Sequence, residues 1–183
     1  QEMSRGLGDV YKRQAHADIN DHMFGEKIAH GTPFRRAVEE GLIDPHRTWQ
    51  IGLRGTGYTA EDFDWARDRG FTVVQAEELW HRSATPLIEQ ARTALGDGPV
   101  YLSFDIDSLD PGFAPGTGTP EIGGLTPIQA LEIIRGCRGL NLVGADLVEV
   151  SPPYDPQGNT ALLAANLLYE MLCVLPGVSY RDK

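Results

Sequence analysis

The sequence predicts an α/β fold built on a mostly parallel sheet, and three observations predict it. Short β-branched or aliphatic runs alternate with helical stretches of about ten residues. Thr-Pro pairs, which suit a helix start, recur at Thr32-Pro33, Thr85-Pro86 and Thr126-Pro127. The polar residues with the most chemistry fall just after the apolar runs, where parallel sheets place their ligands.

Taken in order, the first segment is Gln1 to Gln14, QEMSRGLGDVYKRQ. It lacks an initiator methionine and usable periodicity, and its LGDVYKRQ end resembles a translated adapter sequence. It is expected to be an artefactual, disordered leader, with residues 15–183 forming the C-terminal part of a single domain. Ala15-His16-Ala17-Asp18 then steps with period two. Thr32-Pro33 opens a helix to about Glu40, with Thr32 as the cap and Gly41 as the stop. Thr48 to Leu53 reads as a strand ending at Arg54. Thr59 and Asp62 start a second helix that ends near Gly70. Phe71 to Gln75 is a short strand, Thr85-Pro86 opens a helix to about Leu95, and Pro99 to Asp105 is a strand. The segment Asp107 to Leu125 holds five glycines and three prolines. It is too long for a simple connection, so a functional loop is expected. Thr126-Pro127 opens a helix to about Arg138, Leu140 to Val150 is the last strand, and a Leu/Ala-rich helix runs from Asn159 to Leu175.

Composition narrows the function classes. The 183 residues are 41% hydrophobic and 23% charged, enough for one folded domain with a core. The net charge of −10, without a Lys/Arg cluster, argues against nucleic acid or an anionic membrane as partner. Cys137 and Cys173 sit in helical patterns beside aliphatic residues and read as reduced thiols. With no membrane-length apolar run and no signal-peptide core, a cytoplasmic location is expected.

The chemistry starts at Ser103-Phe-Asp-Ile-Asp-Ser-Leu-Asp-Pro111. If the strand continued, Asp105 and Asp107 would share one face with Cα atoms about 7 Å apart. Two carboxylates about 4 Å apart in an effective dielectric near 20 repel by about 4 kcal/mol. A divalent cation between them relieves that cost. His16, Asp18, Asp105 and Asp107 together make an oxygen-rich set with one imidazole. Such a set suits manganese, with magnesium, iron or zinc also open. The absence of thiolates from the set argues against an iron–sulfur cluster or a Cys-type zinc site. Simpler readings stand beside this one. His16 and Asp18 could be a surface pair, and Asp105 and Asp107 an Asx-rich turn. His30 could be a helix-entry residue and Glu149 the partner of a surface cation. Asp110 before Pro111 reads as turn chemistry. His22, His46 and His81 match no motif, and Arg54 and Tyr58 are candidates for supporting roles only.

The run SFDIDSLDPGFAPGTGTPEIGGLT, with AHADIN, HGTPFRRA and ADLVEVSP in order around it, resembles the ureohydrolase family of arginases, agmatinases and guanidinobutyrases. The resemblance covers Ala15 to the C-terminus. It implies a three-layer α/β sandwich with a parallel sheet, here incomplete at its N-terminal side. It also implies two Mn2+ ions per intact site and hydrolysis of a guanidino group to urea and an amine. Carried over, His16 binds one manganese and Asp18 the other, Asp105 bridges both, and Asp107 completes one site. A metal-bridging hydroxide attacks the guanidinium carbon, Glu149 pairs with the guanidinium, and His30 acts as general acid. Asn20 and Met23 are candidate substrate contacts, and a homo-oligomer, trimer or hexamer, is implied for the intact protein.

Two departures stand out. The family pattern carries a metal-bridging aspartate where this chain has Gln14, and a neutral amide is a poor bridge. An upstream Gly-Gly-Asp-His segment that supplies a further histidine ligand is missing. Weak metal binding and little turnover are therefore expected of this polypeptide alone. The stretches NDHMFGEKIAHGTPFRRAVEEGL and NLLYEMLCVLPGV are closest to guanidinobutyrase and agmatinase, which ranks 4-guanidinobutanoate first and agmatine second as substrate. A metal-dependent deacetylase of the same fold, or an inactive oligomerising paralogue, is the alternative.

Overall fold

The computed structural model describes residues 9–13, 15–55 and 64–179. Five strands form one sheet: β1 (Asp9–Arg13), β2 (Trp49–Leu53), β3 (Thr72–Gln75), β4 (Pro99–Asp105) and β5 (Asn141–Val148). The order is β3-β2-β1-β4-β5 and every pairing is parallel. The helices are α1 (Pro33–Glu39), α2 (Asp64–Arg69), α3 (Thr85–Leu95), α4 (Pro127–Gly136) and α5 (Asn159–Val174).

Alternation along the strands builds two cores, one on each face. Leu102 and Phe104 of β4 join Ile88, Ala91 and Leu95 of α3, Ile133 and Ile134 of α4, and Leu167 and Met171 of α5. A smaller cluster unites Leu53 with Ala66 of α2 and with Phe34, Ala37 and Val38 of α1. Val74 packs in the first and Val73 against the second, as period two requires. Trp49, Ile51 and Leu53 would share a face in a regular strand. Gly52, at φ +95°, sits at a register shift, and Leu53 is thrown into the other core. Each fully buried Leu, Ile or Phe contributes about 1.5–3 kcal/mol from leaving water. The result is the predicted three-layer arrangement around a parallel sheet.

The second face carries a polar cluster next to β5. Tyr101, Ser103 and Asp105 point away from Leu102 and Phe104, and Asp146 and Val148 stand beside Ser103 and Asp105 in register. Both Tyr101 Oη and Ser103 Oγ donate to Asp146, each at 2.8 Å. The Tyr101 ring lies across Gly144, where a Cβ would come within 2.7 Å of it.

Most element boundaries follow the sequence reading. Thr126 is a true cap: it accepts from Gln129 N, and the Gln129 side chain returns to Thr126 N. Thr32 is not, since its side chain caps no helical N–H. It donates to Ala29 O and accepts from Ala29 N, closing the preceding loop instead. The start expected at Thr59 and Asp62, and Tyr58, lie outside the described residues.

The largest correction concerns the leader. Asp9–Arg13, expected to be disordered, form the central strand, with register Tyr11↔Trp49 on one side and Tyr11↔Leu102 on the other. Backbone bonding offered from both neighbours outweighs weak local preference, because strand formation depends on context. The rest of the segment, Gln14 included, lies outside the described residues.

Candidate metal centre

The site stands on the carboxyl rim of the sheet. β4 ends at Asp105, and Asp107 lies not on the strand but in the 3-10 turn Ile106–Ser108. The two aspartates are therefore not alternate residues of one strand, as the spacing suggested. Asp105 instead caps the turn, accepting from Asp107 N at 2.9 Å. This separates the roles of the two carboxyl groups while both stay buried, at 4% and 2% exposure.

The Asp107 carboxylate faces the segment after β1. Its Oδ1 accepts from Ala15 N at 2.9 Å, and its Oδ2 lies 3.0 Å from His16 Nδ1 and 3.4 Å from Thr119 Oγ1. Burial pushes the Asp107 carboxyl up, but the bonds to His16, Asp105 and the Ala15 N–H prevail and hold it below the usual range. The contact with Asp107 raises the His16 imidazole against the opposing effect of burial, and the charges of Asp107, Asp18 and Glu121 add to it. Glu121 Oε1 lies 3.9 Å from the second ring nitrogen, Nε2. Gly55 packs on the ring edge, where a Cβ would come within 2.9 Å of His16 Cδ2.

Asp18, half-buried at φ +52°, and Glu149, exposed at φ +65° just past β5, both adopt left-handed backbone. Strain of this kind gathers at functional sites. The Glu149 loop is tied to the long loop by the bond from Ser151 N to Gly116 O at 2.7 Å. Gly116 N in turn donates to Thr160 Oγ1 at the start of α5. Asn20 N donates to Gly31 O, and a Cβ on Gly31 would meet Met23 Cε and Asn20 Nδ2, so both side chains lie against Gly31, the residue after His30. His30 is exposed and tilts against Phe24, ring centroids 6.4 Å apart. Phe24 and Gly25, both at positive φ, form the tip of a tight two-residue turn between Met23 and Glu26. Asp110 does turn chemistry, as expected, accepting from the N–H groups of Gly112, Gly123 and Gly124.

The structure thus brings His16, Asp105 and Asp107 together, with Asp18 close enough to act on His16. Among the described residues no three ligating side chains close around one point. The donor chemistry nevertheless fits a hard divalent cation. Buried carboxylates call for positive charge. His16 Nδ1 and Asp107 Oδ2 are in hydrogen-bond contact at 3.0 Å, so two donors of different chemistry already face each other at the rim. Sequence reasoning missed Glu121 and Gly55. Glu121 was findable, being the one acidic side chain between Asp110 and Leu125.

No helix among the described residues is long and apolar enough to cross a membrane. The arginase family model matches residues 10–173. Guanidinobutyrase from Pseudomonas aeruginosa is 74% identical over 91% of this chain and 52% of its own length. A mitochondrial agmatinase from Gallus gallus is 66% identical over 90% of this chain and 48% of its own. The solved proclavaminate amidino hydrolase of Streptomyces clavuligerus superposes with a TM-score of 0.84 at 43% identity, over 89% of this chain and 54% of that one. The chain spans about half the length of these relatives. A family match across nearly the whole sequence, on a rim that carries the matching residues, leads to one assignment: the chain belongs to the arginase family.

Proposed function

We propose that the site serves metal-dependent hydrolysis of a linear guanidino compound to urea and an amine. The observation that carries this reading is the His16–Asp107 pair on the carboxyl rim of a chain 74% identical to a guanidinobutyrase. His16, Asp18, Asp105 and Asp107 would hold manganese. The bound metal would supply Lewis acidity that lowers the pKa of a water near the guanidinium carbon.

The chain's own residues would do the rest. The Glu149 carboxylate would receive two guanidinium N–H groups side by side, holding the carbon in place. Water would add to that carbon and the bond to the alkylated nitrogen would break. His30 would deliver a proton to the departing amine nitrogen, a task suited to imidazole. Asn20 and Met23, which lie against Gly31, would line the alkyl chain. 4-Guanidinobutanoate is the first-choice substrate and agmatine the second, in line with 74% identity to the guanidinobutyrase against 66% to the agmatinase. Of the charged residues in the same loop, Lys27 would favour a carboxylate tail and Asp21 and Glu26 an ammonium, so the substrate order rests on the likeness and not on these charges.

The reading extends to why this chain alone would turn over slowly. Gln14 puts an amide where the family pattern has a bridging carboxylate. Urea release with added Mn2+ should therefore be small for this chain and rise for Gln14→Asp, faster with 4-guanidinobutanoate than with agmatine. A preference for agmatine reverses the substrate order. Turnover by the unaltered chain comparable to that of the Pseudomonas guanidinobutyrase would refute the role given to position 14.

A further inference from the structure

Arg54 follows β2 at the same rim, and its guanidinium reaches three separate segments. Nη2 donates to Asp107 O at 2.7 Å, Glu121 O at 2.6 Å and Leu109 O at 3.1 Å. Nη1 donates to Gly52 O and Ser108 O, at 3.1 and 3.2 Å. Nε donates to Glu121 O and Ile122 O, both at 3.1 Å. Carbonyl oxygens pointing at one centre repel one another, so this cage needs a cation inside it. A planar fork with five N–H donors can fill it, whereas a point charge with three donors cannot.

The backbone around Arg54 reinforces the grip. Arg54 N and Gly55 N both donate to Ala15 O, so the residue before His16 is tied to the same place. Gly124 admits the guanidinium, because a Cβ there would lie 2.6 Å from Nη2 and 2.5 Å from Asp110 N. Burial pulls the Arg54 pKa down, and Asp107, Asp110, Glu121 and Asp105 pull it back.

The two residues whose carbonyls Nη2 holds most closely, Asp107 and Glu121, are also the two whose carboxylates flank His16. Asp107 Oδ2 lies 3.0 Å from Nδ1 and Glu121 Oε1 lies 3.9 Å from Nε2. A metal-binding histidine commonly offers its second nitrogen to a carboxylate, which fixes tautomer and orientation. We propose that Arg54 is a positioning residue: its guanidinium sets the distance between Asp107 and Glu121, and so sets the His16 ring between their carboxylates.

Arg54→Lys and Arg54→Ala, with Glu121→Gln as a third variant, test this on the 183-residue chain. Without metal, amide hydrogen exchange across residues 110–125 should accelerate at least tenfold in Arg54→Ala, with Arg54→Lys intermediate. The 15N resonances of His16 should move toward equal tautomer populations in both Arg54 variants and in Glu121→Gln. If Arg54→Ala does not fold, the lysine variant carries both measurements. Unchanged His16 resonances in Arg54→Lys would overturn the proposal and leave Arg54 a tether for the loop alone. The metal arm rests on the hydrolase reading. Mn2+ affinity, read from the free-ion spin resonance signal, should fall tenfold or more in Arg54→Lys. Joining Glu121→Gln to it should add less than the two single losses combined. Failure of the Gln14→Asp chain to bind Mn2+ would count against the metal reading, while exchange and imidazole resonances would still decide the role of Arg54.

Discussion

Tyr101 shows how the polar side of β4 titrates. Burial and the bond to Asp146 push its phenol from 10.0 up to about 12. A group that holds its proton more tightly when folded contributes stability in full below its unfolded pKa. That contribution therefore fades as pH rises from 10 to about 12. Tyrosinate absorbance, taken as the difference from Tyr101→Phe, should show late ionisation of Tyr101, and Asp146→Asn should bring it earlier. Ionisation at the ordinary pH in the unaltered chain would refute the assignment. A second residue-scale expectation concerns Gly55. A methyl there must displace the half-exposed His16 ring by a few tenths of an ångström. Gly55→Ala should lower Mn2+ affinity while leaving the melting temperature nearly unchanged, as titration calorimetry and thermal melts can verify. At this scale the sequence disclosed which residues matter better than how they sit. Asp105 and Asp107 were legible as a pair from their place after an apolar run. Their separation into strand end and turn was not, because the turn closes through a bond from Asp107 N to the Asp105 side chain, which no periodicity encodes. The Arg54 cage was equally invisible, since its acceptors are main-chain carbonyls contributed by segments up to 68 residues away.

Elements were legible wherever the local signal and the tertiary slot agreed. Pro99–Asp105 and Thr85–Leu95 match their expected bounds because an apolar run and a Thr-Pro start coincide with real packing. β1 is the opposite case: Asp, Lys and Arg in DVYKR argue against a central parallel strand, which ordinarily reads as a continuous apolar run. The slot between β2 and β4 decides, and a slot is not visible in five residues. The same contrast separates two Thr-Pro pairs. Thr126 meets Gln129 three residues on and forms a reciprocal capping box, whereas Thr32 is followed by Arg35 and turns back to Ala29. Gln129 also donates to Leu79 O and Arg82 O, linking the start of α4 to the segment before α3. Thr126→Ala should thus cost about 1 kcal/mol in denaturant unfolding. Thr32→Ala should leave α1 intact and act on the loop that carries His30. Equal effects of the two substitutions on helix content would contradict this assignment.

At the scale of the molecule, apolar surface is left over. Among the described residues β5 is an edge of the sheet, with Val143 and Val148 exposed at 55% and 42%. α5 buries Ala164, Leu167, Met171 and Val174 but also exposes Leu162, Leu168, Tyr169 and Leu172. A helix apolar on both sides belongs inside a larger body, and an unpaired strand edge invites pairing. Relatives about twice as long have chain enough to cover such a surface. In the 183-residue chain, burial by a second copy is the available relief, so self-association is expected. The net charge of −10 opposes it by mutual repulsion. Raising ionic strength screens that repulsion and strengthens apolar contact, so the association should grow with salt rather than weaken. Sedimentation velocity across a concentration series should show larger species that increase with both protein and salt. Leu168→Lys combined with Leu172→Glu should return the chain toward monomer while leaving its melting temperature close to that of the original, because both side chains are exposed. A monomer at every concentration and salt, or assemblies that dissolve as salt rises, would show that this surface is not what brings the chains together.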